Sequence, residues 1–217
     1  MSPTRLRWKL ALFDLDGTLV NSLDLIVDGF THAFHEVLGV DLPREKVLTF
    51  IGLPSPDVMT AEAPDRAAEL QDSYRSWVDA HHDDMVRAYD GMPELARELA
   101  AHGMKTAVAT AKRTPLAAQG LHVTGFPDTI SVVCGMEDTV KHKPEPEPLL
   151  LGLKNVGIAP QDAVYIGDAI YDLQAAAAVP MDGIGVTWGA GDNAELAEQK
   201  SIALVDTSSE LRDILLG

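Results

Sequence analysis

The chain has 217 residues, 46% of them hydrophobic and 23% charged, enough for one large domain, or for one carrying a smaller one, around a real core. Its 33 acidic residues against 17 basic ones give a formal net charge of -16, which argues against nucleic acid and anionic membrane as partners, since Lys and Arg hold both. The single cysteine, Cys134, excludes an intrachain disulfide and points to a reducing compartment.

No segment approaches the roughly 18 apolar residues that span a bilayer. The short apolar run near the start ends in acid and does not resemble a signal peptide, so the expected location is cytoplasmic. The sequence is compatible with a monomer or a homodimer.

The first predicted element is a strand over residues 9–13, which runs into FDLDGTLVNS, Phe13 to Ser22. The period then changes: Leu23, Ile26, Val27, Phe30, Phe34, Val37 and Leu38 fall on one helical face. Asn21 or Ser22 is placed to cap this helix, and Asp24 suits its positive end. Short helices are predicted near 44–51 and 57–61. A longer one, over 65–85, carries Leu70, Tyr74, Trp77 and Val78 at helical spacing. Nothing between 20 and 88 reads as a strand.

Tyr89-Asp90-Gly91-Met92-Pro93 is a break, and beyond it strands and helices alternate. A helix over 93–102 has Pro at its start and Gly103 at its end. A strand over 105–110, a helix near 115–121 and a strand over 130–134 follow. KHKPEPEP opens a helix reaching 156, a strand spans 163–166, and GDAIYDLQAAAAV turns into another helix. GIGV and residues 202–205 supply two last strands.

This alternation implies an α/β fold, a doubly wound parallel sheet covered on both faces. The expected division is an α/β catalytic core of residues 1–17 and 90–217, interrupted after its first strand by an all-helical insertion over 18–89.

In such sheets ligands bind beyond the carboxyl ends of the strands. The first strand ends in Asp14-x-Asp16-Gly17-Thr18, the second in Thr110-Ala111-Lys112, and the fourth in Gly167-Asp168-x-x-x-Asp172, with Lys143 in a proline-rich loop between. Up to four carboxylates would converge, more than one lysine neutralises. An oxygen-loving divalent cation answers that excess, and magnesium (Mg2+) uses few carboxylates and adds phosphate oxygens. It also lets an acidic protein accept an anionic phosphate.

Asp14, leaving the strand toward the site, suits a nucleophile that forms an aspartyl-phosphate. Asp16, two residues on, suits the acid that protonates the leaving oxygen and then the base that activates water, with its backbone carbonyl a candidate metal ligand. Thr110 and Lys143 suit the phosphoryl oxygens. Gly17, Thr18 and Ala111 complete the expected phosphate-binding set. Lys112 or Lys141 is an alternative to Lys143. His32, His35 and Glu36, and the pair His81-His82, read as solvated or packed residues, because no third metal ligand has a defined spacing.

FDLDGTLVNS, Thr110 after its strand, the KPEPEP loop with Lys143, and GDAIYD, in this order, resemble the four motifs of the haloacid dehalogenase superfamily. The helical insertion resembles the cap of its phosphoglycolate phosphatase and β-phosphoglucomutase branch. The resemblance implies a Rossmann-like core with an inserted helical cap domain. It also implies Asp14 as nucleophile, Asp16 as acid/base, and magnesium held by Asp14, Asp16 and Asp168 with Asp172 acting through the metal's water shell. Ala169 departs from the Ser or Thr usual at its position.

Asp16 sets the chain apart from the dehalogenases, and FIGLPSPDVM lacks the lysine of phosphonatase-like members. Leu53, Pro54 and Ser55 stand where a β-phosphoglucomutase would show an arginine. The implied activity is a phosphatase for a small phosphorylated metabolite: phosphoglycolate-like, or else pyrophosphate or a sugar phosphate. Readings from another class are a phosphoacceptor signalling protein and a non-catalytic binding protein. The order of the motifs and the helical insertion disfavour the first, and the intact catalytic positions the second.

Overall fold

The structure is a computed structural model and describes residues 6–217. In chain order, strand β1 (Leu10–Phe13) and the short β2 (Val20–Asn21) precede four helices. These are α1 (Leu23–Leu38), α2 (Arg44–Leu48), α3 (Ser55–Glu62) and α4 (Ala67–Met85), after which β3 (Arg87–Ala88) returns the chain. Then come α5 (Met92–Ala101), β4 (Lys105–Ala109), α6 (Thr114–Val123), β5 (Ile130–Cys134) and α7 (Glu147–Val156). The last elements are β6 (Ala163–Gly167), α8 (Ile170–Ala178), β7 (Asp182–Val186), α9 (Asn193–Ala197), β8 (Ala203–Val205) and α10 (Ser208–Leu216). Among the described residues, no helix is long and apolar enough to cross a membrane.

Six strands form one parallel sheet in the order β5-β4-β1-β6-β7-β8. β1 is buried along its whole length, and its alternating side chains serve two layers. Ala11 and Phe13 pack with Leu95 and Leu99 of α5, Leu116 of α6 and Leu211 of α10. Leu10 and Leu12 pack toward Leu149 and Leu153 of α7 and Ala175 and Ala176 of α8. The strand order reverses around β1: the chain builds β4 and β5 on one side, then crosses to β6 on the other. A crevice at the carboxyl edge is expected at such a reversal.

β2 and β3, which periodicity did not reveal, form a separate antiparallel ribbon with Val20 opposite Ala88 and Asn21 opposite Arg87. The regular elements between them are helices and carry their own core, with Ile26, Phe30 and Phe34 of α1 packed on Phe50, Met59 and Leu70. Ser22 stands at the start of α1 without capping it, its hydroxyl being bonded to Asp16 instead. Two helices beyond the sequence reading, α9 and α10, are capped by Asp192 and Thr207, whose side chains accept backbone N–H bonds.

Candidate active site

Because β1, β4 and β6 are parallel and in register, the residues that follow them meet at one edge. Asp14 N–H donates to the Ile166 carbonyl at 2.8 Å and Thr110 N–H to that of Cys134 at 2.9 Å. Each is thus still tied to a neighbouring strand as its side chain leaves the sheet. Asp14, Thr110, Asp168, Asp172 and Lys143 are all buried.

Asp14, Asp168 and Asp172 each bring a carboxylate oxygen to within 4.8 Å of the other two, a group that could hold a metal ion. Burial, reinforced by the charge of Asp172, pushes the Asp14 carboxyl up to about 7, against the lowering pull of Lys143. Burial, with Asp172 and Asp14 adding to it, pushes Asp168 up to about 8. A positive charge placed among these carboxyls favours their ionised form.

Lys143 supplies part of it. Its Nζ lies 2.9 Å from Asp14 Oδ1, 2.6 Å from Asp172 Oδ1 and 3.2 Å from the Tyr165 hydroxyl. Burial opposes its charge, but Asp14 and Asp172 outweigh that and hold the ammonium well above its ordinary range. Asp172 Oδ2 accepts from Ala169 N–H at 3.0 Å, so both its oxygens are engaged by the protein. Asp14 Oδ1 is paired with the Lys143 ammonium at 2.9 Å and takes no further hydrogen bond from the protein. An all-oxygen cluster with such a buried carboxylate oxygen fits a hard divalent cation.

Asp16 stands apart from this group. Its Oδ1 accepts from Lys112 Nζ at 2.7 Å and from the Ser22 hydroxyl at 2.5 Å. Lys112 therefore accompanies Lys143 at the site rather than replacing it, while Lys141 lies outside with its N–H on Glu147. Thr18 is inside the site's frame: its hydroxyl donates to Asp168 Oδ1 at 2.9 Å, positioning a carboxylate. Gly17 takes φ +87°, and a Cβ there would stand 2.2 Å from Asp168 Oδ2, so only glycine fits. The loop after β7 closes on Asp168 as well, Ala190 N–H donating to its Oδ2 at 2.9 Å.

Over Asp14 and Asp16 lies a cavity of about 60 Å³, lined at the sheet edge by Thr110, Ala111, Lys112 and Arg113. The loop residues Gly52 and Leu53 line it, with Ser55 at the start of α3. So does one face of α4, formed by Gln71, Tyr74, Arg75 and Val78, of which only Tyr74 and Val78 belong to the helical spacing read from the sequence. The histidines of the helical segment sit elsewhere: His32 faces Glu36 at 3.4 Å and His35 faces Asp41 at 2.8 Å, both in exposed pairs.

Residues 11–186 match the family model described as haloacid dehalogenase-like hydrolase. The chain belongs to that family. This hydrolase is 33% identical over 204 residues to "Pyrophosphatase PpaX" of Bacillus cereus (strain AH820), which covers 94% of each chain. It is 32% identical to the protein of the same name from Anoxybacillus flavithermus (strain DSM 21510 / WK1), covering 94% of this chain and 95% of that one. Among solved structures it resembles a "predicted phosphoglycolate phosphatase" from Haemophilus somnus 129pt, at TM-score 0.86 and 25% identity, covering 97% of this chain and 99% of that chain.

Proposed function

We propose that this hydrolase is a magnesium-dependent phosphatase that passes the phosphoryl group of a small substrate to Asp14 and then to water. The observation that carries the reading is Asp14 itself, buried at the end of the central strand 2.9 Å from the Lys143 ammonium, inside a cluster of three carboxylates. Magnesium held by Asp14, Asp168 and the Asp16 backbone carbonyl, with Asp172 behind it, would offset the carboxylate charge and polarise a phosphoryl oxygen.

The chain's own groups then divide the work. An Asp14 oxygen attacks phosphorus as the bond to the leaving oxygen breaks, and Asp16 gives that oxygen its proton. Water next attacks the aspartyl-phosphate, Asp16 takes the water's proton, and Asp14 leaves as a carboxylate. Lys143 favours the charged form of Asp14 and orients it, and the Thr110 hydroxyl faces the phosphoryl oxygens. Lys112 and Ser22 hold Asp16 in place through Oδ1, leaving Oδ2 for the proton.

A cavity of about 60 Å³ supports a small substrate such as phosphoglycolate. Pyrophosphate is the second reading, favoured by relatives named pyrophosphatase over almost their whole length.

The test is a phosphate-release screen with magnesium over phosphoglycolate, pyrophosphate and sugar phosphates, repeated with Asp14→Asn. Release from at least one compound, abolished by Asp14→Asn in a folded protein and by chelation, is the expected result. A variant with near-normal turnover overturns the assignment of Asp14. A lasting phosphoryl group on the wild type without turnover would instead indicate a signalling acceptor.

A further inference from the structure

We propose that Arg75, on α4, is the specificity-determining residue of the site and receives a second anionic group, carried by the leaving half of the substrate, with Gln71 beside it. This rests on the phosphoryl-transfer reading above and names the class of substrate it serves.

The other cations at the site are already engaged. Lys143 sits between Asp14 and Asp172, Lys112 holds Asp16, and Arg113 pairs with Asp79 of α4. Arg75 lines the same cavity, and no carboxylate among the described residues lies within 4.0 Å of its guanidinium. Among the described arginines only Arg75 and Arg87 lack a carboxylate within 4.0 Å, and Arg87 does not line this cavity.

The helix presents it deliberately. Gln71, Tyr74, Arg75 and Val78 recur at the spacing of one α-helical face. Tyr74 and Val78 anchor that face, both packed against Gly29, with Tyr74 also 4.7 Å from the Phe30 ring centroid. One turn before Tyr74 on the same face, Gln71 carries a buried amide oxygen with no hydrogen-bond partner, a costly arrangement without a ligand. The amide can be turned to donate to an anion.

Position separates this group from the phosphoryl site. Asp14 and Thr110 line the cavity from the sheet edge, whereas Gln71, Tyr74, Arg75 and Val78 line it from α4. A phosphorus seated on Asp14 is therefore served by the sheet, and Arg75 faces whatever is attached to it. The planar guanidinium suits a carboxylate or a second phosphate, both offering paired oxygens. A neutral leaving group gives it nothing to bind.

The experiment compares wild type, Arg75→Ala, Arg75→Lys and Gln71→Ala, with magnesium, on pyrophosphate, phosphoglycolate and p-nitrophenyl phosphate. Arg75→Ala is expected to lower kcat/KM for the two substrates with anionic leaving groups by about 10- to 100-fold, mainly through KM, and to leave p-nitrophenyl phosphate within about twofold. Arg75→Lys should recover part of the loss, and Gln71→Ala should show a smaller loss of the same selectivity. Comparison of the two anionic substrates tells a second phosphate from a carboxylate.

A parallel titration of non-hydrolysable methylenebisphosphonate, followed by calorimetry, reads binding without turnover. It should weaken by a similar factor in Arg75→Ala, while inorganic phosphate binds unchanged. Equal losses on all substrates, or none on the anionic ones, overturn the proposal even where phosphatase activity stands. Selective loss of bisphosphonate binding in a protein that hydrolyses nothing upholds it and removes the phosphatase reading. A wild type that neither binds the bisphosphonate nor releases phosphate overturns both.

Discussion

Thr18 Oγ1 donates a 2.9 Å hydrogen bond to Asp168 Oδ1, joining the exit of the first strand to the end of β6 across 150 residues of sequence. Both partners are buried, so the bond is shielded from water and fixes the orientation of a carboxylate that belongs to the candidate metal group. Replacing the hydroxyl by a methyl keeps the volume and removes the donor. Thr18→Val is expected to keep the fold and to raise the magnesium concentration for half-maximal activity by about 10- to 100-fold. A magnesium titration of phosphate release checks this, and an unchanged midpoint contradicts it.

In the metal-free protein, pH acts on stability with a definite sign. Burial raises Asp14 and Asp168 from 3.8 to about 7 and about 8, so between roughly pH 4 and 8 the folded chain binds more protons at these groups than the unfolded chain does. Their contribution to stability is full below the unfolded value and falls as the pH rises through the folded ones. Thermal melts in chelator should therefore shift to lower temperature from pH 5.5 to 8.5. Because protons compete with the cation, added magnesium should raise the melting temperature more at pH 8.5 than at pH 5.5. A magnesium effect larger at the lower pH would contradict the scheme.

Lys143 is the fixed positive charge between two buried carboxylates. Lys143→Met keeps much of the volume and leaves Asp14 and Asp172 uncompensated. The expected loss is about 3–5 kcal/mol of stability in chelator, read by urea denaturation. Turnover should fall by about 100-fold or more even where excess magnesium restores the fold.

Tyr165 holds Lys143 from behind. Its hydroxyl donates to the Ala109 carbonyl at 2.9 Å and receives the lysine at 3.2 Å. Tyr165→Phe strips both bonds without opening space, and a cost of about 1–3 kcal/mol is expected by denaturation. A smaller fall in kcat than for Lys143→Met would fit a residue that positions the lysine and touches no substrate.

The fold is legible in the sequence because the sheet strands are short apolar runs separated by helical periods and glycine or proline breaks. The four aspartates stand out for the same reason, as charges just past or soon after runs such as LALF and AVYIG. What escapes is whatever depends on distant pairing. Tyr165 reads as one more strand former within AVYIG. The bond from Lys112 to Asp16 spans 96 residues. Nothing local tells Ser22 to prefer Asp16 over the end of its own helix. β2 and β3 are two residues each, too short for any period to show. α10 did carry a signal, the Thr207-x-x-Glu210 spacing of a capped start, with Glu210 N–H bonded to Thr207 at 3.2 Å.

The β2–β3 ribbon brings the chain's departure from the sheet and its return side by side, through two facing residue pairs. To the catalytic sheet, the whole helical segment is thus topologically no more than the loop of a hairpin. Apart from Ser22, which is bonded to Asp16, the contacts that fix the aspartates come from outside that segment. On the proposed reading, substrate preference would change through the segment beyond Ser22 without altering how phosphorus is attacked.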